Sequence, residues 1–474
     1  MRRKIVAIAV AIPVLYLVLF AVQVGIAYTH AQSYTEQLAG EYDKKQIVQD
    51  SANLAADVDR IFWMLHFPVA KQIAQVAGLD FTPIRDEVSA VIRASSWLAG
   101  ADAPKRYMIA FQNSAEARGT GGILGAFAII ELNKSSLTVV RTGSNAVLYS
   151  LKDVPVDVPD EFTKLYGKNP AILQNSNLSP HFPYGAEIWM GLWKKQFDEQ
   201  LDGVIAVDPS ALSYVLKATG PITLKTGEVI TSDNVVADTL QQAYKRYEKD
   251  NDARKQYLVD IMNAAASKIT SGDFSKIEMV RAIKRGLIEN RILMYSRDLP
   301  AEKELASVRL GGYLSKAPNN EYRAVIQNID ASKLDYYLER EVSVKTLSCN
   351  KVQQTEVKVR LTNTLKTGRG LPAYVLTRAD KDKPADLVTG QHRFKLFIYG
   401  PTQSTLVSVS RENKKDGLGG ASTERGRPIY VADVDLAPGE SEELLANFAG
   451  GVGKITFVDQ PLVRETKLSI KGGC

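Results

Sequence analysis

The run IVAIAVAIPVLYLVLFAVQVGIA, Ile5 to Ala27, carries no charge and directly follows MRRK. As a helix these 23 residues reach about 34 Å, enough to cross the roughly 30 Å hydrocarbon layer of a bilayer. Arg2, Arg3 and Lys4 favour the cytoplasmic side. The expected topology is therefore a cytoplasmic tail (1–4), a transmembrane helix (5–28) and the bulk of the chain outside the cell membrane. Pro13 is expected to kink the helix without breaking it. A cleaved leader is the competing reading, with Thr29-His30-Ala31 as a weak cleavage site. Leader cores, however, span only about 7 to 15 residues.

A chain of 474 residues is too long for one ordinary domain and predicts two or three. The formal charge is only +6, with Lys and Arg interleaved with Asp and Glu. Such a surface is a poor partner for nucleic acid; it suits anionic lipids, phosphates or polysaccharides, with a plain solvated mixed-charge exterior as the alternative. The four histidines, at 30, 66, 181 and 392, show no close spacing with cysteine, so no zinc site is indicated. The two cysteines are Cys349 and the last residue, Cys474. In an oxidising compartment they are expected to form one disulfide; two unrelated thiols are the alternative.

Residues 29–103 read as a helical juxtamembrane segment, with apolar positions at helical spacing in Leu54, Val58, Ile61, Phe62 and Leu65, and again in Ile84, Val88, Val91 and Ile92. Asp50 or Ser51 is the expected cap, Pro68 an interruption, and Phe62-Trp63 a packing pair. Residues 104–318 read as a central mixed α/β (or α+β) layer domain. Strands RYMIAFQ, GAFAIIEL and LTVVRTG come first, then DGVIAVDP, a helix capped by Asp208 and ending at Gly220, and a long helical section from Thr231 to Leu299. Residues 319–474 alternate in the manner of a β-sandwich of immunoglobulin-like size, with 416–427 as a flexible loop.

Inside the central domain, FQNSAEARGTGG (111–122) sets a polar, glycine-rich stretch between apolar strands. Gly119, Gly121 and Gly122 let backbone approach a ligand, and Arg118 can offer a bidentate fork to a phosphate or carboxylate. The alternative is a local Glu116–Arg118 ion pair on a simple turn. Asn113 either holds the loop through its own backbone or contacts the ligand. The stretch is not a Walker loop, since no Gly-Lys-Ser/Thr follows. No Ser-His-Asp order, nucleophile elbow or spaced carboxylate pair is visible.

Together with NSNLSPHFP (175–183), DGVIAVDPSALSYVLKATGPITL (202–224), ARKQYL (253–258) and VRLTNT, this stretch resembles a bacterial envelope family named only as a domain of unknown function (DUF4012). The resemblance runs from about residue 50 to the end. The same order of elements is similar, more faintly, to the core of the LytR-CpsA-Psr phosphotransferases, which attach lipid-pyrophosphate-linked glycopolymers to the cell wall. That likeness implies arginines on a pyrophosphate and acidic groups on Mg2+. Arg254 and Gln256 match the arginine and glutamine of that family's helix; Arg254 and Lys255 on a solvated helix face are the alternative. Where those enzymes carry Arg-Ser-Asp-Thr and Pro-Arg-Asp, this chain has Gly121-Gly122-Ile123-Leu124 and Gly143-Ser144-Asn145. Either Glu116 or another carboxylate replaces the missing acids, or the domain binds without transferring.

The expected function is thus that of an extracytoplasmic envelope protein. It would bind an anionic, phosphate-bearing glycopolymer or lipid-linked precursor through Asn113, Glu116, Arg118, Gly121, Gly122, Arg141, Asn145, Arg254 and Gln256, alongside other envelope proteins. A phosphotransferase and a scaffold without ligand are the competing classes. Mg2+ belongs only to the transferase.

Overall fold

The fold is described from a computed structural model covering residues 2–39, 43–65, 82–100, 103–133, 136–350, 352–376, 388–412 and 419–473. Three helices come first: α1 (Arg2–Ala39), α2 (Lys44–Met64) and α3 (Arg85–Leu98). The cap of α2 is Asp43, whose side chain accepts from the N–H groups of Lys45 and Gln46, so Asp50 and Ser51 fall inside the helix. The helix α2 folds back along α1. Tyr34 packs with Ile47 and Leu54, and further along Tyr16 and Phe20 pack with Phe62 and Leu65. Phe62 is buried as expected, but Trp63 points outward. Among the described residues no helix is long and apolar enough to cross a membrane; most side chains before Leu19 are outside that set, as is Pro68.

The central sheet is formed by β1 (Lys105–Arg118), β2 (Gly121–Asn133), β3 (Ser136–Ser144), β4 (Gly203–Val207) and β7 (Ile292–Ser296), in the order β3-β2-β1-β4-β7. Only β1 and β4 pair in parallel; the other pairs are antiparallel. Side chains alternate across β1, so both faces must be covered. Met108 and Ala110 pack with Trp189 and Trp193 of α4 (Phe182–Phe197). Tyr107 and Ile109 meet Trp97 and Leu98 of α3 and Ala301 of α8 (Leu299–Leu305). Each fully buried large ring contributes roughly 1.5–3 kcal/mol. The strand β7 corrects the expectation of one helical stretch to Leu299: RILMYS lies antiparallel on β4 at the sheet edge, where pairing overrides its helical periodicity.

A smaller layer flanks the sheet. It consists of α5 (Pro209–Thr219), the two-residue strands β5 (Ile222–Thr223) and β6 (Val229–Ile230), and α6 (Asn251–Thr270), followed by α7 (Lys276–Ile288). Asp208 caps α5 through Ala211 N–H, as the sequence suggests. It also pairs with the buried Arg291.

The C-terminal part forms two five-stranded sheets. One runs β12-β15-β10-β9-β17, from Thr405–Arg411, Ser441–Ala449, Gln354–Asn363, Leu338–Ser348 and Lys467–Lys471. The other runs β13-β14-β11-β8-β16, from Gly420–Glu424, Arg427–Leu436, His392–Tyr399, Glu321–Asn328 and Thr456–Phe457. They share one apolar core, which Ala117 from the end of β1 joins. The expected flexible loop 416–427 is in part strand β13, and its Glu424 is fully buried beneath the hydroxyls of Ser179, Tyr166 and Tyr399. Cys349 follows β9 and is not a free thiol; Cys474 lies outside the described residues.

Candidate functional site

The glycine-rich stretch is not an open loop. The strands β1 and β2 continue to Arg118 and Gly121, and the tip of this hairpin is buried. Gly121 adopts φ of 131°, a conformation open to glycine. A Cβ on Gly122 would lie 2.2 Å from the Asn113 carbonyl carbon, so any side chain would push the strands apart. The glycines therefore permit close strand packing. They do not expose backbone to a ligand. Between Asn113/Ile123 and Ala117/Gly122 the register shifts, and the extra residues on β1 form a bulge that carries Glu116. Gln112 Oε1 accepts from Thr120, and Asn177 reaches both Gln112 and the Gly122 carbonyl. The polar residues of FQN and NSN thus lock the hairpin.

Glu116 is the hub of a buried ion cluster. One oxygen accepts from Arg118 Nη2 at 2.9 Å and the other from Lys333 Nζ. All five Arg118 N–H donors are engaged: Nε with the Gln174 carbonyl, Nη1 with the Ala117 and Asn328 carbonyls, and Nη2 with Glu116 and Asn175 Oδ1. Of the two roles left open for Arg118, the geometry favours the ion pair, because no fork is left to offer. Burial opposes ionisation of Glu116, yet Lys333 and Arg118 hold its carboxyl below the usual value. Burial likewise opposes charge on Lys333, and Glu116 reverses it, raising the ammonium pKa. Asp335, next to the cluster, accepts from Ala117 N–H and Asn328 and pairs with His392.

Arg254 lies at the start of α6, mostly buried. Its Nε and Nη2 donate to Asn251 Oδ1 at 3.1 and 2.7 Å, and its guanidinium sits 4.5 Å from the Tyr244 ring centroid. Tyr244 stacks on Tyr374 at 5.8 Å and 17°, and Lys333 stands 4.9 Å from the Tyr374 centroid. Among the described residues Nη1 of Arg254 has no hydrogen-bond partner. Lys255 has, among the described residues, only a 3.8 Å pair with the exposed Asp252.

These side chains border a cleft of about 620 Å³ between the hairpin, α6 and the C-terminal sheets. Among the described residues its charged lining comprises Arg118, Arg254, Lys255, Lys333 and Lys395 against Glu116, and Lys395 also pairs at 2.6 Å with Asp433 outside the lining. Asn145 is on the wall, donating to the Leu124 carbonyl at 2.9 Å.

Other expected site residues lie elsewhere. Arg141 stacks over Phe197 at 4.7 Å and Trp193 at 5.3 Å, because its place on β3 directs it to the α4 aromatics. Gln256, one position beyond Lys255, is exposed and bonded to Asp260. Asn113 accepts from Ala115 N–H, donates to the Tyr244 hydroxyl at 2.7 Å and borders a separate apolar recess. Gly121 and Gly122 are packed away in the hairpin. Sequence reasoning missed Lys333, Tyr244, Tyr374 and Lys395. The only local sign was DASKLDYY (330–337), a polar break in an otherwise alternating region.

The cleft does not fit a magnesium site. Its one carboxylate is held by two buried cations, and among the described residues no group of three or more His, Cys, Asp or Glu is placed to hold a metal ion.

Residues 102–244 match the family described as "Protein of unknown function (DUF4012)". Among the solved structures that the chain matches in part are two uncharacterised bacterial proteins. Protein gbs0355 from Streptococcus agalactiae is 14% identical, with 44% of this chain and 74% of that one covered at a TM-score of 0.28. The Lin1025 protein from Listeria innocua is 14% identical, with 47% and 85% covered at 0.24. Both superpositions are loose and bring no function to this chain. No curated protein matches it.

Proposed function

We propose that this DUF4012-containing chain is a membrane-anchored envelope protein that binds an anionic, phosphate-bearing glycopolymer or lipid-linked precursor in the cationic cleft. The α1 helix is its span, and the paired C-terminal sheets form an immunoglobulin-like sandwich that closes one side of the site. The observation that carries the reading is the excess of positive charge lining the cleft. Glu116 neutralises one of its five cations, Asp433 pairs with Lys395 at 2.6 Å and the exposed Asp252 stands 3.8 Å from Lys255, while Arg254 faces the cavity with a donor to spare. A phosphate placed there gains charge-assisted hydrogen bonds in a partly desolvated setting. The tyrosine pair beside Arg254 fixes the guanidinium plane, lowering the entropy lost on binding.

The site supports recognition better than transfer. A LytR-CpsA-Psr-like phosphotransferase needs acidic metal ligands, and the cleft has none beyond Glu116. The test is binding of a polyprenyl pyrophosphate and of phosphate-bearing wall polymer to the purified chain across a salt series. Arg254→Ala is expected to weaken binding by about 1.5–3 kcal/mol, roughly 10- to 150-fold, and added salt is expected to weaken the parent further. Parent-like affinity in Arg254→Ala and Lys255→Ala together, or no salt-sensitive binding at all, would leave the scaffold reading.

A further inference from the structure

Four amide side chains that line the cleft share one arrangement: one end of each amide is tied to the protein and the other is not. Asn145 Nδ2 donates to the Leu124 carbonyl at 2.9 Å, and Gln327 Nε2 donates to the Leu178 carbonyl at 2.7 Å. A carbonyl only accepts, so the end left over is an oxygen. Asn175 Oδ1 accepts from Arg118 Nη2 at 3.3 Å, and Asn251 Oδ1 accepts from both Nε and Nη2 of Arg254. A guanidinium only donates, so here the end left over is the NH2 group. Among the described residues Asn145 Oδ1, Gln327 Oε1, Asn175 Nδ2 and Asn251 Nδ2 have no hydrogen-bond partner.

The spare groups are thus two acceptors and two donors, and this mixture selects the ligand. A fully ionised phosphate offers acceptors alone, so it can satisfy the NH2 groups and Arg254 Nη1 but neither oxygen. Gln327 is only 4% exposed, and a buried amide oxygen without a partner is destabilising. Hydroxyl groups both donate and accept, and several of them on one rigid ring can meet all four amides. The tied ends hold the amides in place, which lowers the entropy lost on binding. Arg118 adds to this, joining the segment of Asn175 to that of Gln327 through the carbonyls of their neighbours Gln174 and Asn328. Apolar surface lies in the same lining, with Ile172 and Ile329 40% and 46% exposed beside the ring of Tyr374. A volume of about 620 Å³ and a mixed apolar and polar wall are those of a small-molecule site.

We propose that the cleft reads a sugar as well as a phosphate: its ligand is a glycosyl phosphate, with ring hydroxyls on Asn145, Asn175, Asn251 and Gln327 and the phosphate on Arg254. The inference rests on the reading of the cleft as an anion site. A bare polyprenyl pyrophosphate would leave both amide oxygens unpaired and is the weaker ligand.

The test is calorimetric titration of the full-length chain in detergent micelles. The probes are glucose 1-phosphate, galactose 1-phosphate and N-acetylglucosamine 1-phosphate, each compared with ethyl phosphate, a monoester of the same charge without hydroxyls. At least one sugar phosphate is expected to bind about 10-fold or more tighter than ethyl phosphate. In Asn145→Ala and in Gln327→Met that ratio is expected to fall by about 5- to 10-fold, whereas Arg254→Ala weakens both kinds of probe. Should the buried Gln327 variant fail to fold, the ratio in the parent and in Asn251→Ala, at the exposed start of α6, still decides. Polyprenyl glucosyl phosphate in the same micelles tells the sources apart: tighter binding than glucose 1-phosphate marks a lipid-linked ligand, weaker binding a soluble one, and the class stands with either. Ethyl phosphate bound as tightly as every sugar phosphate, with salt sensitivity and loss in Arg254→Ala, would overturn the sugar subsite and leave the anion reading standing. No salt-sensitive binding of any probe would overturn both.

Discussion

Glu116→Gln separates the ion cluster into its parts. Glu116 accepts from Arg118 Nη2 and Lys333 Nζ, and all three side chains are almost fully buried. Arg118 keeps four other hydrogen bonds, to Gln174, Ala117, Asn328 and Asn175, and can tolerate the loss. Among the described residues Lys333 keeps only the Ala331 carbonyl and the ring faces of Tyr244 and Tyr374. The cost therefore falls on the lysine. Breaking a buried pair from one side costs about 3–5 kcal/mol, whereas replacing both partners by neutral groups of similar shape is often nearly neutral. Glu116→Gln is expected to lower the unfolding free energy by about 3–5 kcal/mol, while Lys333→Met, which leaves Glu116 paired with Arg118, costs about 1–3 kcal/mol. The double variant should recover most of the first loss, giving a coupling of at least about 2 kcal/mol between the sites. Urea titrations followed by circular dichroism, with slopes compared, provide the measurement. A Glu116→Gln loss under about 1 kcal/mol, or a double variant equal to the sum of the singles, would show that Lys333 does not depend on this carboxylate for its burial.

Other perturbations follow from particular contacts. Burial pushes Glu302 up to about 7 from the ordinary 4.5, against hydrogen bonds from Ser296 N–H and Tyr313. The folded state thus holds this proton more tightly, and stability is expected to fall by roughly 3 kcal/mol as pH rises from about 4.5 to 7. Glu302→Gln, a mimic of the protonated acid, should flatten that part of the pH–stability curve; an unchanged slope would refute the assignment. Non-reducing mass spectrometry is expected to find a peptide linking Cys349 to Cys474, and Cys474→Ser to cost about 2–4 kcal/mol; two alkylatable thiols would remove the disulfide. Arg141→Ala should cost about 0.5–1 kcal/mol through its ring contacts and leave anion affinity unchanged; weakened binding would place Arg141 in the site after all.

How much of this could be read from the sequence depended on range. The strands of 106–112 and 125–132, and most of those after Glu321, show because each has one face or both against a core, whereas 137–143 is exposed or half-buried throughout and shows through its β-branched residues. Asp208 shows because a cap is a local bond. RILMYS misleads, since its spacing fits either period and only its place beside β4 decides. Gly420–Glu424 and Lys467–Lys471 carry few apolar side chains, and their neighbours alone make them strands. In the site, Glu116, Arg118, Asn145 and Arg254 do border one cleft, but glycine content alone could not distinguish an open phosphate loop from a buried hairpin tip. The partner that sets the charge of Glu116, Lys333, lies 217 residues away, and the polar break DASKLDYY around it says nothing of that pairing.

The two arginines of the cleft consequently have different work, and the difference yields a test that couples stability to binding. Arg118 is saturated and holds the hairpin to the C-terminal sheets; Arg254 and Lys255 retain capacity for an anion. Glu116 then acts in two opposed ways. It stabilises the fold by pairing with buried cations, and it adds a negative charge to a cleft that would otherwise attract anions more strongly. Removing that charge at roughly 8 Å from a bound phosphate, with an effective dielectric near 40, is worth about 1 kcal/mol, or about fivefold in affinity. Glu116→Gln is therefore expected to unfold more easily and yet, below its melting transition, to bind a polyprenyl pyrophosphate more tightly. If the cleft is only a scaffold, the stability loss will appear alone. If Glu116 instead orients the ligand or stands in for a metal-binding acid, affinity will fall along with stability, and the electrostatic account of the cleft must be given up.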